Sequence, residues 1–181
     1  MVLAARRGAR TVTTVLKFIH LAAIAIWSGG LIVLPFLFWQ RRLLAVGPEL
    51  DRLHRITRLV YVELTSPAAF VAIASGTALI FLQATFVEWF SVKMVLVGIM
   101  AMLHVLAGLV LHHLFLPEGH FSRLSSIALA TAYVFVIVAI IWVVLAKPHI
   151  PSNAFAPHLF EPGGLARWLH QSFGETRMPT P

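Results

Sequence analysis

In the stretch VKMVLVGIMAMLHVLAG, residues 92–108, Lys93 and His104 stand eleven positions apart with only apolar residues and a glycine between them. Nearer the N-terminus, LKFIHLAAIAIWSGG sets Lys17 and His20 three positions apart at the head of another apolar run. Ionisable groups in such runs are costly to keep and point by default to function. On a helix turning ~100° per residue, Lys93, Met100 and His104 share one face, with Val97 and Gly108 beside it. His20 and Trp27 likewise share a face, and Ser28-Gly29-Gly30 just beyond permits close approach of a second backbone.

An imidazole backed by small or flat residues suits a planar, apolar ligand. Haem b meets that description: its iron takes neutral imidazole, its ring wants apolar walls, and its propionates want a cation near the membrane surface. The sharpest expectation is that His20 and His104 both ligate one iron. Trp27 and Met100 then belong to the ring's surroundings, and Lys17 or Lys93 to its propionates. Spacing sets a condition. If the two lysines are level, the histidines differ in depth by about 12 Å at a rise of ~1.5 Å per residue. One helix must then slide or tilt, or only one histidine is a ligand.

The plain alternative is a histidine that hydrogen-bonds a neighbouring helix. Copper(I) is the rival occupant, because Met94, Met100 and Met102 cluster near His104, and thioether with imidazole suits that ion. Of these methionines only Met100 shares the His104 face, and methionine is common packing filler. His112, His113 and His120 have no carboxylate or cysteine at ligand spacing and read as solvated loop residues.

Such residues need membrane-spanning helices to hold them. Of the 181 residues, 59% are hydrophobic and 12% charged, against about 45–50% and ~25% in a soluble domain; mean hydropathy is +0.87. Charge-free runs at Phe18–Gln40, Leu64–Val87, Met94–Pro117 and Leu124–Ala146 are 23, 24, 24 and 23 residues long. Each exceeds the ~20 residues that cross a bilayer as a helix, and the alternating segments of a barrel are absent. The expected fold is all-α: an integral-membrane four-helix bundle over residues 1–148, with spans near 12–39, 62–87, 92–116 and 124–146. The first run is longer than a signal peptide's ~7–15-residue apolar region and is followed by Arg41-Arg42, so it is read as a retained span.

The net charge of +7 then serves orientation and contact with lipid phosphates, not nucleic acid. The chain has no cysteine, which excludes disulfides, thiolate metal sites, iron–sulfur clusters and covalent c-type haem. No phosphate-binding G-x-G-x-x-G or Walker pattern follows any span, and no G-x-S-x-G elbow occurs.

The connection RRLLAVGPELDRLHRITR is the densest basic segment and is placed on the cytoplasmic side, as a partly interfacial stretch broken at Gly47-Pro48. Glu63, just before Thr65-Ser66-Pro67, is expected to pair with one of its arginines, with proton relay as the alternative role. Trp39 and Trp89 suit headgroup level, whereas Trp27 and Trp142, inside spans, imply helix packing or a flat ligand. Residues 149–181 form a proline-rich extramembrane tail. Leu165, Trp168, Leu169 and Phe173 in it are spaced for a short amphipathic helix on the membrane surface or on a partner, either a larger membrane complex or a second copy.

The runs LKFIHLAAIAIWSGGLIVLPFLF and WFSVKMVLVGIMAMLH resemble the four-helix, haem-b-containing protoporphyrinogen IX oxidases and, more broadly, the copper-resistance-D-like membrane proteins. The resemblance covers about residues 12–148. It rests on Lys17 with His20, Trp27, Gly30 and Pro35, then Tyr61, Pro67 and Gly76, then Trp89, Lys93 and His104, and Lys147-Pro148 after the last span. It implies haem b held by His20 and His104 and a functional region containing Trp89 and Lys93. It also implies a reduced tetrapyrrole as substrate, quinone as electron acceptor, and the inner membrane of a bacterium as location. Phe36, where the oxidases commonly carry a basic residue, and Thr57, in place of an acid before Arg58, depart from their pattern. Trp27-Ser28-Gly29-Gly30 is nearer the copper-resistance-D-like branch, for which copper transport, or an accessory role in electron transfer, is the implied alternative.

Overall fold

A computed structural model describes residues 2–83, 88–114 and 121–147, with side chains over 10–82, 92–114 and 121–147. Five α-helices fill these residues: α1 (Val2–Gln40), α2 (Pro48–Arg58), α3 (Ser66–Gln83), α4 (Glu88–Leu114) and α5 (Arg123–Ala146). Four helical segments are long and apolar enough to cross a membrane, the second formed by α2, the turn after it and α3. Phe18, Phe70, Phe81, Phe135 and Leu145 are largely exposed on the outside of the bundle. So much large apolar surface has a stable place only in lipid. The chain is a multi-pass membrane protein. The tail and its amphipathic helix, expected at 149–181, lie outside the described residues, as do His120 and the ends of the second and third expected spans.

Helix α1 is the hub. Ala23, Trp27, Leu31, Leu34 and Phe38 recur every three or four residues and are all buried, the stripe a helix of 3.6 residues per turn turns toward its neighbours. It packs along α3 and α5, and α5 packs along α4. Helices α3 and α4 are consecutive in the chain yet, among the described residues, scarcely touch.

Between α2 and α3 the helix widens into a π-helical segment, Leu59–Thr65. The sequence explains it. Pro67 brings no N–H and its ring crowds the carbonyl four residues back. The preceding hydroxyls take up carbonyls five back: Thr65 Oγ1 donates to Val60 O (2.6 Å) and Ser66 Oγ to Tyr61 O (2.8 Å). This wide turn carries Thr65 onto Gly30 of α1 and Tyr61 onto Gly108 of α4; at either glycine an added Cβ would collide with the facing hydroxyl. Both glycines serve a close approach, not a special backbone angle.

One end of the bundle is tied by polar and aromatic contacts. Arg41 Nε donates to Leu114 O at the end of α4 (2.8 Å), and Ser126 Oγ donates to Pro35 O (2.5 Å). Arg123 lies over the Trp39 ring at 5.7 Å. Leu50, Leu53 and Thr57 bury the inner face of α2 against this end. Two expectations fail here. Glu63 is exposed and, among the described residues, forms no ion pair with the arginines of the first connection. Trp142 is 58% exposed on the outer face of α5, so it packs against lipid and not against a ligand. Helix α5 ends where Lys147 turns left-handed (φ 43°), its N–H bonded to Val143 O, directly before Pro148.

Candidate functional site

At the opposite end, α1, α3 and α4 diverge around a cavity of about 270 Å³. His20 and Trp27 of α1, Gly76 and Thr77 of α3, and Lys93, Val97 and Met100 of α4 line it, with Ile140 of α5 at the back. Elsewhere the walls are aliphatic. Specific ligand pockets typically start near 300 Å³ and combine apolar walls with a few convergent polar groups. This one matches in kind and nearly in size.

The local packing of α3 fixes His20. Its Nδ1 lies 2.9 Å from Ala72 O and 3.0 Å from Ser75 Oγ. A carbonyl only accepts, and the Ser75 hydroxyl already donates to Val71 O (2.6 Å). The proton therefore sits on Nδ1, and the lone pair of Nε2 is left without a hydrogen bond among the described residues. An imidazole whose far nitrogen is held by a carbonyl, with the other lone pair free, is the arrangement that metal-ligating histidines use. Gly76 makes it possible: a Cβ there would stand 2.8 Å from His20 Cε1. Any side chain larger than hydrogen would push the ring away from α3.

His104 is differently placed. Its ring stacks on Tyr61 (centroids 5.0 Å apart, planes 18° apart) and meets the edge of Trp27 (6.1 Å, 81°). Ser66 Oγ, already donating to Tyr61 O, lies 3.4 Å from Nε2, while Nδ1 is buried without a hydrogen-bond partner among the described residues, as is Trp27 Nε1. Tyr61 Oη in turn donates to His104 O (3.1 Å). His104 does not line the cavity. Trp27, seven residues or about 10.5 Å along α1 from His20, stands between them. Of the two histidines, only His20 lines the cavity.

Of the other residues expected at the site, Lys93, Trp27 and Met100 converge with His20. Lys17 is exposed and takes no part in the lining, so the cation at the cavity is Lys93. The Trp89 side chain lies outside those described. His112 and His113 are exposed at the end of α4. Two contributors were missed in the sequence: Ala72 and Ser75, which hold the imidazole; Met94, weighed there only as a copper(I) ligand, joins Met100 in the lining. The run Ala74-Ser75-Gly76-Thr77, small and polar inside an apolar span, was the available signal.

No protein-family model matches the chain, and no curated protein or solved structure matches it either. Among the described residues no cluster of three or more histidine, cysteine or carboxylate side chains is placed to hold a metal ion. The donor set is therefore one imidazole with two thioethers, Met94 and Met100, beside an ammonium group. That set fits a haem, which brings four of its own nitrogens and asks the protein for one or two axial ligands, apolar walls and a cation for its carboxylates. A bare divalent ion, needing several protein ligands, fits it poorly.

Proposed function

We propose that this protein is a membrane redox protein that holds haem b in the cavity between α1, α3 and α4, with His20 as its protein ligand. The observation that carries this reading is the His20 imidazole, locked by Ala72 O and presenting a free Nε2 lone pair to an apolar cavity that also contains Lys93. When bound, the haem supplies one-electron transfer. The chain's own residues do the rest. Ala72 O and Ser75 Oγ orient His20 and hold its proton on Nδ1. Lys93 attracts carboxylates to the outer end, and Trp27, Val97 and Ile140 keep water from the inner end.

The most specific form of this proposal is oxidation of protoporphyrinogen IX to protoporphyrin IX, with electrons passing to a quinone, in a bacterial inner membrane. The resemblance of the first and third spans supports the reaction. A second reading, copper(I) handling, is favoured by one observation: Met94 and Met100 line the cavity together with His20. Soft thioether and imidazole donors suit that ion, but the Lys93 ammonium opposes a bound cation.

Oxidised and dithionite-reduced visible spectra of the purified protein separate the two. A reduced α-band with stoichiometric haem supports the first reading. Copper at one equivalent with no such band replaces it by the second. Porphyrin formation from porphyrinogen by haem-loaded membranes, absent in membranes carrying His20→Ala, tests the reaction itself.

A further inference from the structure

The cavity has exposed residues in its lining, on α3 and α4. Its back is closed by α1 and by Ile140 of α5; its two sides are α3 and α4, which scarcely touch among the described residues. Residues that both line the cavity and are exposed mark the opening: Ile73 and Thr77 on α3, and Met94, 45% exposed, on α4. Toward the other end the same two flanks are pinned, because Tyr61 and Ser66 reach His104 across them. Among the described residues, α3 and α4 are therefore bridged at the Tyr61–His104 end and not at the Gly76–Lys93 end. The rim of the cavity is almost wholly apolar, which fits an opening to acyl chains better than one to water.

We propose that the cavity is a lateral port, loaded directly from the bilayer between α3 and α4 by a membrane-dissolved amphiphile, flat and apolar, with a carboxylate at one edge. This rests on the reading that the cavity is the ligand site but not on the identity of the metal. The apolar body slides in over Ile73 and Met94 and lies against Trp27, Val97 and Ile140. The carboxylate stays at Lys93, whose long aliphatic stem lets its charge remain near headgroup level. Gly76 contributes no side chain that would obstruct the passage. Charge complementarity with Lys93 selects an acid over its neutral ester, and a charge-assisted hydrogen bond of ~1.5–3 kcal/mol corresponds to a preference of about tenfold or more.

The natural absence of cysteine gives a direct test. Val97→Cys, inside the cavity, Thr77→Cys, at its mouth, and Phe135→Cys, on the lipid-facing side of α5, are made singly in the full chain and reconstituted in vesicles. Each is offered a lipid-dissolved pyrene maleimide or a charged, membrane-impermeant thiosulfonate. The port requires the pyrene reagent to label all three and the impermeant reagent to label none from either side. Metal-free protoporphyrin IX should then protect Val97→Cys and leave Phe135→Cys reactive. Its dimethyl ester should protect about tenfold more weakly, and Lys93→Gln should abolish that difference. Labelling of Val97→Cys by the impermeant reagent would show an aqueous route and overturn the port. Equal protection by acid and ester would overturn the carboxylate assignment. Protection by metal-free porphyrin in a protein that never takes up haem would retire the iron reading and leave the port standing.

Discussion

The His20 ring packs on Gly76 through its Cε1, so close that a single methyl group on that glycine would come within 2.8 Å of that atom. The contact couples the geometry of the proposed ligand to the smallest residue in the chain. Substituting Gly76 by Ala removes a helix-interior glycine, which by propensity alone would favour the helix by about 0.5–1 kcal/mol. It also displaces His20 from Ala72 O. We expect Gly76→Ala to keep its helix content and thermal midpoint while losing most of its bound haem, read as reduced α-band absorbance per mole of protein. Normal haem content in that variant would mean that His20 is not held from α3.

Gly108 offers the contrast. There a Cβ would run into the Tyr61 hydroxyl, one layer below the cavity and outside its lining. Gly108→Ala should lower the thermal midpoint, because overpacking of this kind costs about 1–3 kcal/mol, and leave the spectrum of the remaining folded protein unchanged. The opposite pattern, a stable protein with an altered spectrum, would put His104 and Tyr61 in the ligand site.

Lys93 is the cation at the cavity. Lys93→Gln is expected to weaken binding of a carboxylated porphyrin about tenfold or more, and Lys93→Arg to restore most of it, since a hydrogen bond to a charged group is worth ~1.5–3 kcal/mol. Titration of the apo-protein with porphyrin, followed by quenching of tryptophan fluorescence, reads both. Lys17→Gln should have no such effect, because Lys17 lies outside the lining.

The join between α1 and the π-helical turn rests on Gly30 and Thr65, whose side chain a Cβ on Gly30 would strike. Gly30→Ala should therefore destabilise the bundle, and Thr65→Ala, by removing the obstructing hydroxyl, should recover part of that loss in the double variant. Residues in contact commonly couple by about 0.5–3 kcal/mol. Purely additive midpoints in a heat-denaturation series would show that the two helices do not meet there.

The helices were legible because span length and apolar content are one-dimensional properties. The gathering of His20, Trp27, Met100 and Lys93 was partly legible from helical phase, which places residues on faces. Phase says nothing about which helix a face meets or at what depth. That is why His20 and His104 looked like partners although only His20 lines the cavity, and why Trp142 looked inward although it is exposed on the outside of α5. The π-helical turn was hidden in Thr65-Ser66-Pro67, where two hydroxyls and a missing N–H act together. Its consequence, the seating of Tyr61 on His104, depends on a register that no spacing rule supplies. The bond from His20 to Ala72 O could not be read at all, since backbone carbonyls leave no mark in a sequence.

The central claim is that His20, and not His104, is the protein's ligand to iron. The reduced-minus-oxidised spectra of His20→Ala and His104→Ala, each purified with haem supplied during expression, test it directly. The account predicts that the α-band disappears in His20→Ala and persists at the same wavelength in His104→Ala. A band that survives in His20→Ala, or that is lost only in His104→Ala, would contradict it.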